Sequence, residues 1–439
     1  MHRPWKWTGA AFGACALAGG LLGAGPLTGG VAAAAQRVPA AGATGAVRLP
    51  PASSGPSAAA AAGGGSGSTA AGGGSAGTAA GGAPSAGAAQ ATTSVTVSGH
   101  GLGPGWGMGQ WGSYGYASLA GYKWPYSKIL GHYYSGQHLS HLATATESAP
   151  IDVDLSELDG TKVTTLKANR RGAHVTVNGA KRWGTRRITH TATTIVVRAN
   201  VGDVRVDLNG RWRAYQGYIE LTPDDRTVNV VPLESYVAGV VPSESIASWG
   251  AAGGEAALET QAVAARTYAI NYVDQAGRIC DTEECQVYDG DPGTNPGLDG
   301  YVKYSDKAAT ATAGVVVCAM AASTCPAADI DETQYSASTG GYTSGQGFPA
   351  VTDAGDAVGS NPWHNWTAHL SISQLDAAFP NLGRLTALEV TARNGHGTWG
   401  GRAVTVEVTG TKGSTSLSGS SFEDDFGLAS NWFRFATQP

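Results

Sequence analysis

Between Pro51 and Thr93 the chain carries no charged and no aromatic side chain. A run of Ala, Gly, Ser, Pro and Thr of this kind cannot bury enough apolar area to offset the entropy lost on ordering. It divides the chain before any fold is considered. Residues 36–93 read as a flexible Ala/Gly/Ser tether, and a packed core must be built from residues 94–439. Ahead of the tether, Arg3 and Lys6 precede an apolar, glycine-softened run from Ala10 to Leu27, and small residues around Ala33 to Ala35 offer cleavage sites. Residues 1–35 therefore read as a signal peptide, with a retained membrane anchor as the alternative. Cys15 is a poor lipidation site, because the apolar run continues past it. The expected location is outside the cell, in or near the wall.

Export leaves Cys280, Cys285, Cys318 and Cys325. Four cysteines in an oxidising compartment allow three disulfide connectivities, and the short spacings favour Cys280–Cys285 and Cys318–Cys325 as local clips. The net charge of −5 shows no basic excess. It offers no nucleic-acid footprint and no reason to expect binding to an anionic membrane.

Residues 94–149 form a glycine-rich element, SVTVSGHGLGPGWGMGQWGSYGYASLA and onward. Its glycines permit close backbone approach. No acidic residue follows at the place a dinucleotide site requires. Trp106, Trp111, Tyr114 and Tyr116 suit either core packing or stacking on sugar rings. His132, His138 and His141 match no standard zinc spacing.

Residues 150–231 are a succession of short β-branched runs, with Asn178-Gly179 and Asn209-Gly210 placed for type I′ hairpin turns. They predict an antiparallel sheet or partial barrel, serving as scaffold or as a lobe that grips substrate. The fold class is α+β: an antiparallel β-rich lobe plus a helical core segment, together forming a groove.

Residues 232–439 then carry two helical patterns joined by a bend. Leu233, Tyr236, Val237 and Val240 recur at helical spacing. Pro242 is expected to stop that helix, leaving Glu244 on the bend just beyond it. A second helix is expected from about Glu255 to Asp274. Glu255 and Glu259 sit in its first turns, where the helix dipole accounts for them. Gln261 adjoins the small-residue face and is expected to bond a specific partner, and Arg266 to meet a buried carboxylate or a carbonyl. GVVVCAMAASTCPAADIDETQYSAS reads as a hairpin with a cysteine-clipped tip. Ser338-Thr339-Gly340-Gly341 is a small-residue turn able to present hydroxyls and amides. A helix near Leu370–Phe379, capped by Ser371 or Ser373, and a hairpin around Gly395–Gly401 follow.

The stretch VPLESYVAGVVPSE…WG…EALETQAVAARTYAINYV resembles the SpoIID/LytB family of cell-wall proteins. ICDTEECQVYDG, YSASTGGYT and FPAVTDAGDAV follow in the family's order, and GHGLGPGWGMGQWGSYGYA with ILGHYYSG is similar to its glycine-rich element. That element stands at the front here, and Pro104 occupies a place where the family commonly has histidine. The resemblance implies action on peptidoglycan glycan strands. In its lytic transglycosylases the glutamate of the VVPSE-type motif is catalytic, here Glu244. It implies substrate contacts from Gln261, Arg266, Tyr268, Ser338, Thr339, Gly340 and Gly341. It also implies an alternative, a non-catalytic enhancer of a wall amidase. Some relatives hold zinc with the cysteine pair and an upstream histidine. No histidine stands near Cys280, Asp274 being the closest polar candidate, so a disulfide rather than zinc is expected and no cofactor is assigned. An acid at Glu244 that works near neutral pH must have its pKa raised by apolar neighbours, for which Val240, Val241, Ile246 and Trp249 are nearest in sequence.

Overall fold

The computed structural model describes residues 47–48, 94–295, 298, 300–345 and 347–436. The expected signal peptide and nearly all of the tether lie outside the described residues.

Helices α1 (Gln110–Ser118), α2 (Tyr126–Tyr133), the single turn α3 (Thr144–Glu147), α4 (Leu233–Glu244), α5 (Glu255–Ala276), α6 (Val302–Ala311), α7 (Ile372–Ala378) and α8 (Gly419–Phe426) are interleaved with short strands. The architecture is mixed α+β. The β-rich lobe holds two sheets. The larger runs, in spatial order, 279–280, 150–154, 227–232, 218–221, 195–199, 174–177 and 180–183; all its pairings are antiparallel except the first, which is parallel. The smaller runs 211–215, 204–208, 163–168 and 186–189. Alternating burial along these strands packs Leu166, Val175, Val197, Val204, Val206 and Ile219 between the sheets. The Asn-Gly turns are as expected. Asn178 (φ 45°) with Gly179 (φ 82°), and Asn209 (φ 47°) with Gly210 (φ 95°), turn tightly enough that Val177 pairs with Ala180 and Leu208 with Arg211.

The helical core continues from this lobe. α5 packs on α1, α2, α4 and α6, with Leu258, Ala262, Val263, Ala265 and Ala269 buried along its length. Its alanines keep the backbones close. Gly239 does the same for α4: a Cβ there would meet Gly290 O at 2.7 Å and the Tyr288 ring at 2.6 Å. The expected aromatic surface of the front element is largely interior. Trp111 is buried against Trp249, Tyr114 stacks on Trp249 at 4.8 Å, and Tyr116 stacks on Trp124 at 4.3 Å.

A second apolar core lies in the C-terminal sheets. Strand 94–99 is flanked by 366–371 and 433–435, and strands 385–393, 403–410 and 413–418 form an antiparallel meander. α7 is capped by Ser371 in a capping box with Gln374.

Two expectations are corrected. Pro242 does not end the helix before Glu244. It lies in the last turn of α4, where it removes one ladder bond, and the helix closes with Ser245 N–H donating to Val241 O at 2.9 Å. Residues 315–325 are not a hairpin. Strands 315–318 and 324–325 lie on either side of 138–142, which the front element inserts between them. Both clips close locally, Cys280–Cys285 and Cys318–Cys325.

Candidate active site

Glu244 is the last residue of α4, and its half-buried side chain reaches the floor of an open pocket. Gln110, Glu244, Glu283, Cys285, Val287, Tyr335 and Ala337 line that pocket. At about 180 Å³ it is small beside the ~300–1,000 Å³ of clefts that engulf a ligand. It can take one edge of a ligand and leaves the remainder on the surrounding surface.

Three chain segments hold the carboxyl. The clipped loop after α5 brings Val287, whose N–H donates to Glu244 Oε1 at 2.6 Å. The front element brings Gln110, the first residue of α1, whose Nε2 makes a long hydrogen bond to Oε2 at 3.5 Å. The two-stranded pairing of 335–336 with 108–109 brings Tyr335, whose hydroxyl lies close enough to the carboxyl to lower its pKa. Tyr335 is itself fixed, since its hydroxyl accepts from Gln286 Nε2 at 3.1 Å and Gln286 Oε1 accepts from Tyr236 at 2.9 Å. Burial pushes the Glu244 pKa up to about 7. The Val287, Gln110 and Tyr335 hydrogen bonds pull it back down, and the negative charge of Glu283 raises it further. An ordinary carboxyl is ionised at pH 7; burial lets this one keep its proton much closer to neutrality. Gln110, Glu283, Cys285, Val287, Tyr335 and Ala337 wall the pocket around it. Among the sequence neighbours expected to do this, Trp249 packs instead on α1.

Gln261 is almost fully buried. Its Oε1 accepts from Gln110 Nε2 and from Ser245 Oγ, both at 3.2 Å, so it stands behind Gln110 rather than in the pocket. Arg266 is 0% exposed and makes a two-pronged pair with Glu234, Nε to Oε1 at 2.7 Å and Nη2 to Oε2 at 2.5 Å, while Nη1 donates to Val315 O at 3.1 Å. Its guanidinium is committed to joining α4, α5 and strand 315–318, and it presents nothing to the pocket. Tyr268 is half-buried at the edge of this region, near enough to Glu244 and Glu332 for their charges to raise its pKa after burial has done so.

Ser338, Thr339 and Gly340 are likewise buried, and the turn's hydroxyls point inward. Ser338 Oγ donates to Asp356 Oδ1 at 2.8 Å, and Thr339 Oγ1 donates to Asp353 Oδ2 at 2.7 Å. Burial, then the neighbouring Asp356, raises the Asp353 pKa to about 7. Only Gly341 of this turn keeps partial exposure. Sequence reasoning did not find Gln110, Glu283, Val287 or Tyr335. The signal available was the juxtaposition of Gln110 with the glycines that let α1 sit so close: a Cβ on Gly115 would stand 1.9 Å from Gly355 O. Among the described residues no group of three or more His, Cys, Asp or Glu side chains is disposed to hold a metal. None of the described helices is long and apolar enough to cross a membrane.

The fold and site define an α+β domain with a half-buried carboxyl of raised pKa at the floor of a surface pocket. Residues 223–318 match the SpoIID family model, described as stage II sporulation protein. This stretch runs from strand 227–232 through α4, α5, the clipped loop and α6 to strand 315–318, and it includes Glu244. The match agrees with the resemblance read from the sequence and gives this part of the chain a domain type associated with peptidoglycan and sporulation. No curated protein and no solved structure gave a significant match.

Proposed function

We propose that the protein is a secreted lytic transglycosylase, cutting the MurNAc–GlcNAc bond of peptidoglycan with Glu244 as its single acid and base. The observation that carries this reading is the buried Glu244 carboxyl, its pKa raised to about 7, at the floor of an open pocket. In its protonated form it gives its proton to the glycosidic oxygen as the bond to the anomeric carbon breaks. The carboxylate left behind takes the proton of the same sugar's C6 hydroxyl, whose oxygen closes on the anomeric carbon. The proton count balances, no water is consumed, and the product ends in a 1,6-anhydro ring. A hydrolytic pair needs a second carboxylate to activate water or act as nucleophile; this route does not. The Val287 N–H and Gln110 keep the carboxyl oriented in both protonation states.

The test is digestion of purified peptidoglycan by wild type and Glu244→Gln, with products read by mass spectrometry. Anhydro-muropeptides from wild type alone support the proposal, and equal release from the variant refutes it. An enhancer of an N-acetylmuramoyl-L-alanine amidase would release no anhydro product itself and would stimulate the amidase equally well with Gln at 244.

A further inference from the structure

The net charge of the chain conceals a strong local excess. Between Lys162 and Arg213 stand twelve Lys and Arg residues and only two acids, Asp203 and Asp207, against 28 and 33 in the whole chain. All of these lie in the β-rich lobe. Three of the twelve are matched, Lys162 with Asp225, Arg211 with Glu157 and Arg213 with Asp289, as is Arg226 just beyond them, with Asp154 and Asp159. Lys167, Arg171, Lys181, Arg182, Arg186 and Arg187 form no ion pair with any described residue.

The strand register gathers several of them. In the smaller sheet Thr165 stands opposite Arg187, and Lys167 opposite Arg205, so Lys167, Arg187 and Arg205 share the face turned away from the buried Leu166. Like charges directly opposite one another are destabilising in a sheet. The acid on this face, Asp207, accepts from Gly210 N–H in the adjoining turn at 2.8 Å. Arg205 donates to Trp212 O, and its Nε is buried with no partner among the described residues. From the edge strand 180–183 of the larger sheet to the edge strand 186–189 of the smaller one, Lys181-Arg182-Trp183-Gly184-Thr185-Arg186-Arg187 is exposed at every residue, Trp183 at 57%.

We infer that this face binds a linear polyanion, and that its occupant is a phosphodiester-linked polymer of the cell wall. Guanidinium forks match phosphate oxygens two at a time. Charges repeated along and across strands suit a flexible chain carrying one charge per repeat unit. The two disulfides fit an oxidising compartment, where nucleic acid is not the standing polyanion. One exposed tryptophan is a poor apolar footing for a membrane surface.

The test titrates poly(glycerol phosphate) into the protein by calorimetry at low and physiological salt. It compares wild type with the Lys181→Glu, Arg182→Glu, Arg186→Glu, Arg187→Glu combination. Sedimentation with purified walls follows, before and after hydrofluoric acid has removed phosphodiester polymers. We expect binding to weaken with salt and to fall by more than about tenfold in the variant. The variant should melt like wild type, its four sites being exposed, and stripped walls should lose wild-type binding. Glu244→Gln should bind as wild type does, so the outcome is independent of catalysis. Unchanged binding by a folded variant, or undiminished binding to stripped walls, overturns the inference. So does tighter binding, per phosphate, to duplex DNA or to phosphatidylglycerol vesicles.

Discussion

Replacing Glu244 with Gln should move two observables in opposite directions. Activity should fall by about two to four orders of magnitude, the usual weight of a general acid. Stability should rise, and only above acid pH. The native carboxyl titrates near 7 and an unfolded one near 4.5. Between those values the native state holds a proton that the unfolded state has released, so wild-type stability declines as pH rises through this window. Above pH 7 the deficit is constant at about 3 kcal/mol, from ~1.4 kcal/mol per pKa unit. Gln is neutral throughout and is spared it. For a domain of about 340 residues this amounts to a melting temperature about 4–5 °C above wild type at pH 8, and no difference at pH 4. Thermal melts of both proteins at pH 4, 6 and 8 read it directly. A gap that does not open with pH would mean that Glu244 is not held in its neutral form. Retained activity would mean that it is not the acid. The two failures are separable.

The remaining expectations concern the walls of the site and its frame. Wild-type activity should fall about tenfold per pH unit above about 7, and Glu283→Gln should shift that alkaline limb toward acid by a fraction of a unit, since Glu283 raises the Glu244 pKa. A pH–rate profile that does not move would exclude the coupling. Arg266→Ala should cost about 3 kcal/mol, with Glu234 partly exposed and able to recover some solvation. Lys at 266 should not restore stability, because it cannot bond both Glu234 oxygens and Val315 O; denaturant melts decide this. Replacing Cys280 and Cys285 by Ser should cost only about 2 kcal/mol, since the closed loop is short. It should lower any turnover by the folded protein more than its stability, because the clip holds the segment that donates to Glu244.

The β lobe was legible because its strands alternate buried and exposed positions and its hairpins are set by Asn-Gly pairs. α5 was legible from its small-residue face. Glu244 itself was found through a motif, but its surroundings were not. Gln110 and Tyr335 are separated from it by 134 and 91 positions, and no local pattern announces contacts at such range. Pro242 misled because a rule for helix interiors was applied to a last turn. Residues 315–325 misled because β-branched residues beside a local cysteine clip look like a hairpin. Only the long-range arrival of His138–Leu142 shows otherwise. Arg266 was expected to meet a buried carboxylate or a carbonyl; it meets the half-buried Glu234 and Val315 O, and that same pairing turns it away from the pocket. The basic face was hidden by averaging, as acids elsewhere cancel it in the net charge.

The strand at Ser94–Gly99 lies between 366–371 and 433–435. The first strand of the domain therefore has no complete sheet to join until residue 435 is available. Contacts of this sequence separation form late and slowly, because loop-closure entropy is spent before they repay it. Gln110 stands eleven positions after this strand and reaches Glu244 from α1. A nascent or truncated chain lacking its last strand would leave strand 94–99 paired on one side only. The topology thus leaves this sheet incomplete until the end of the domain has been made.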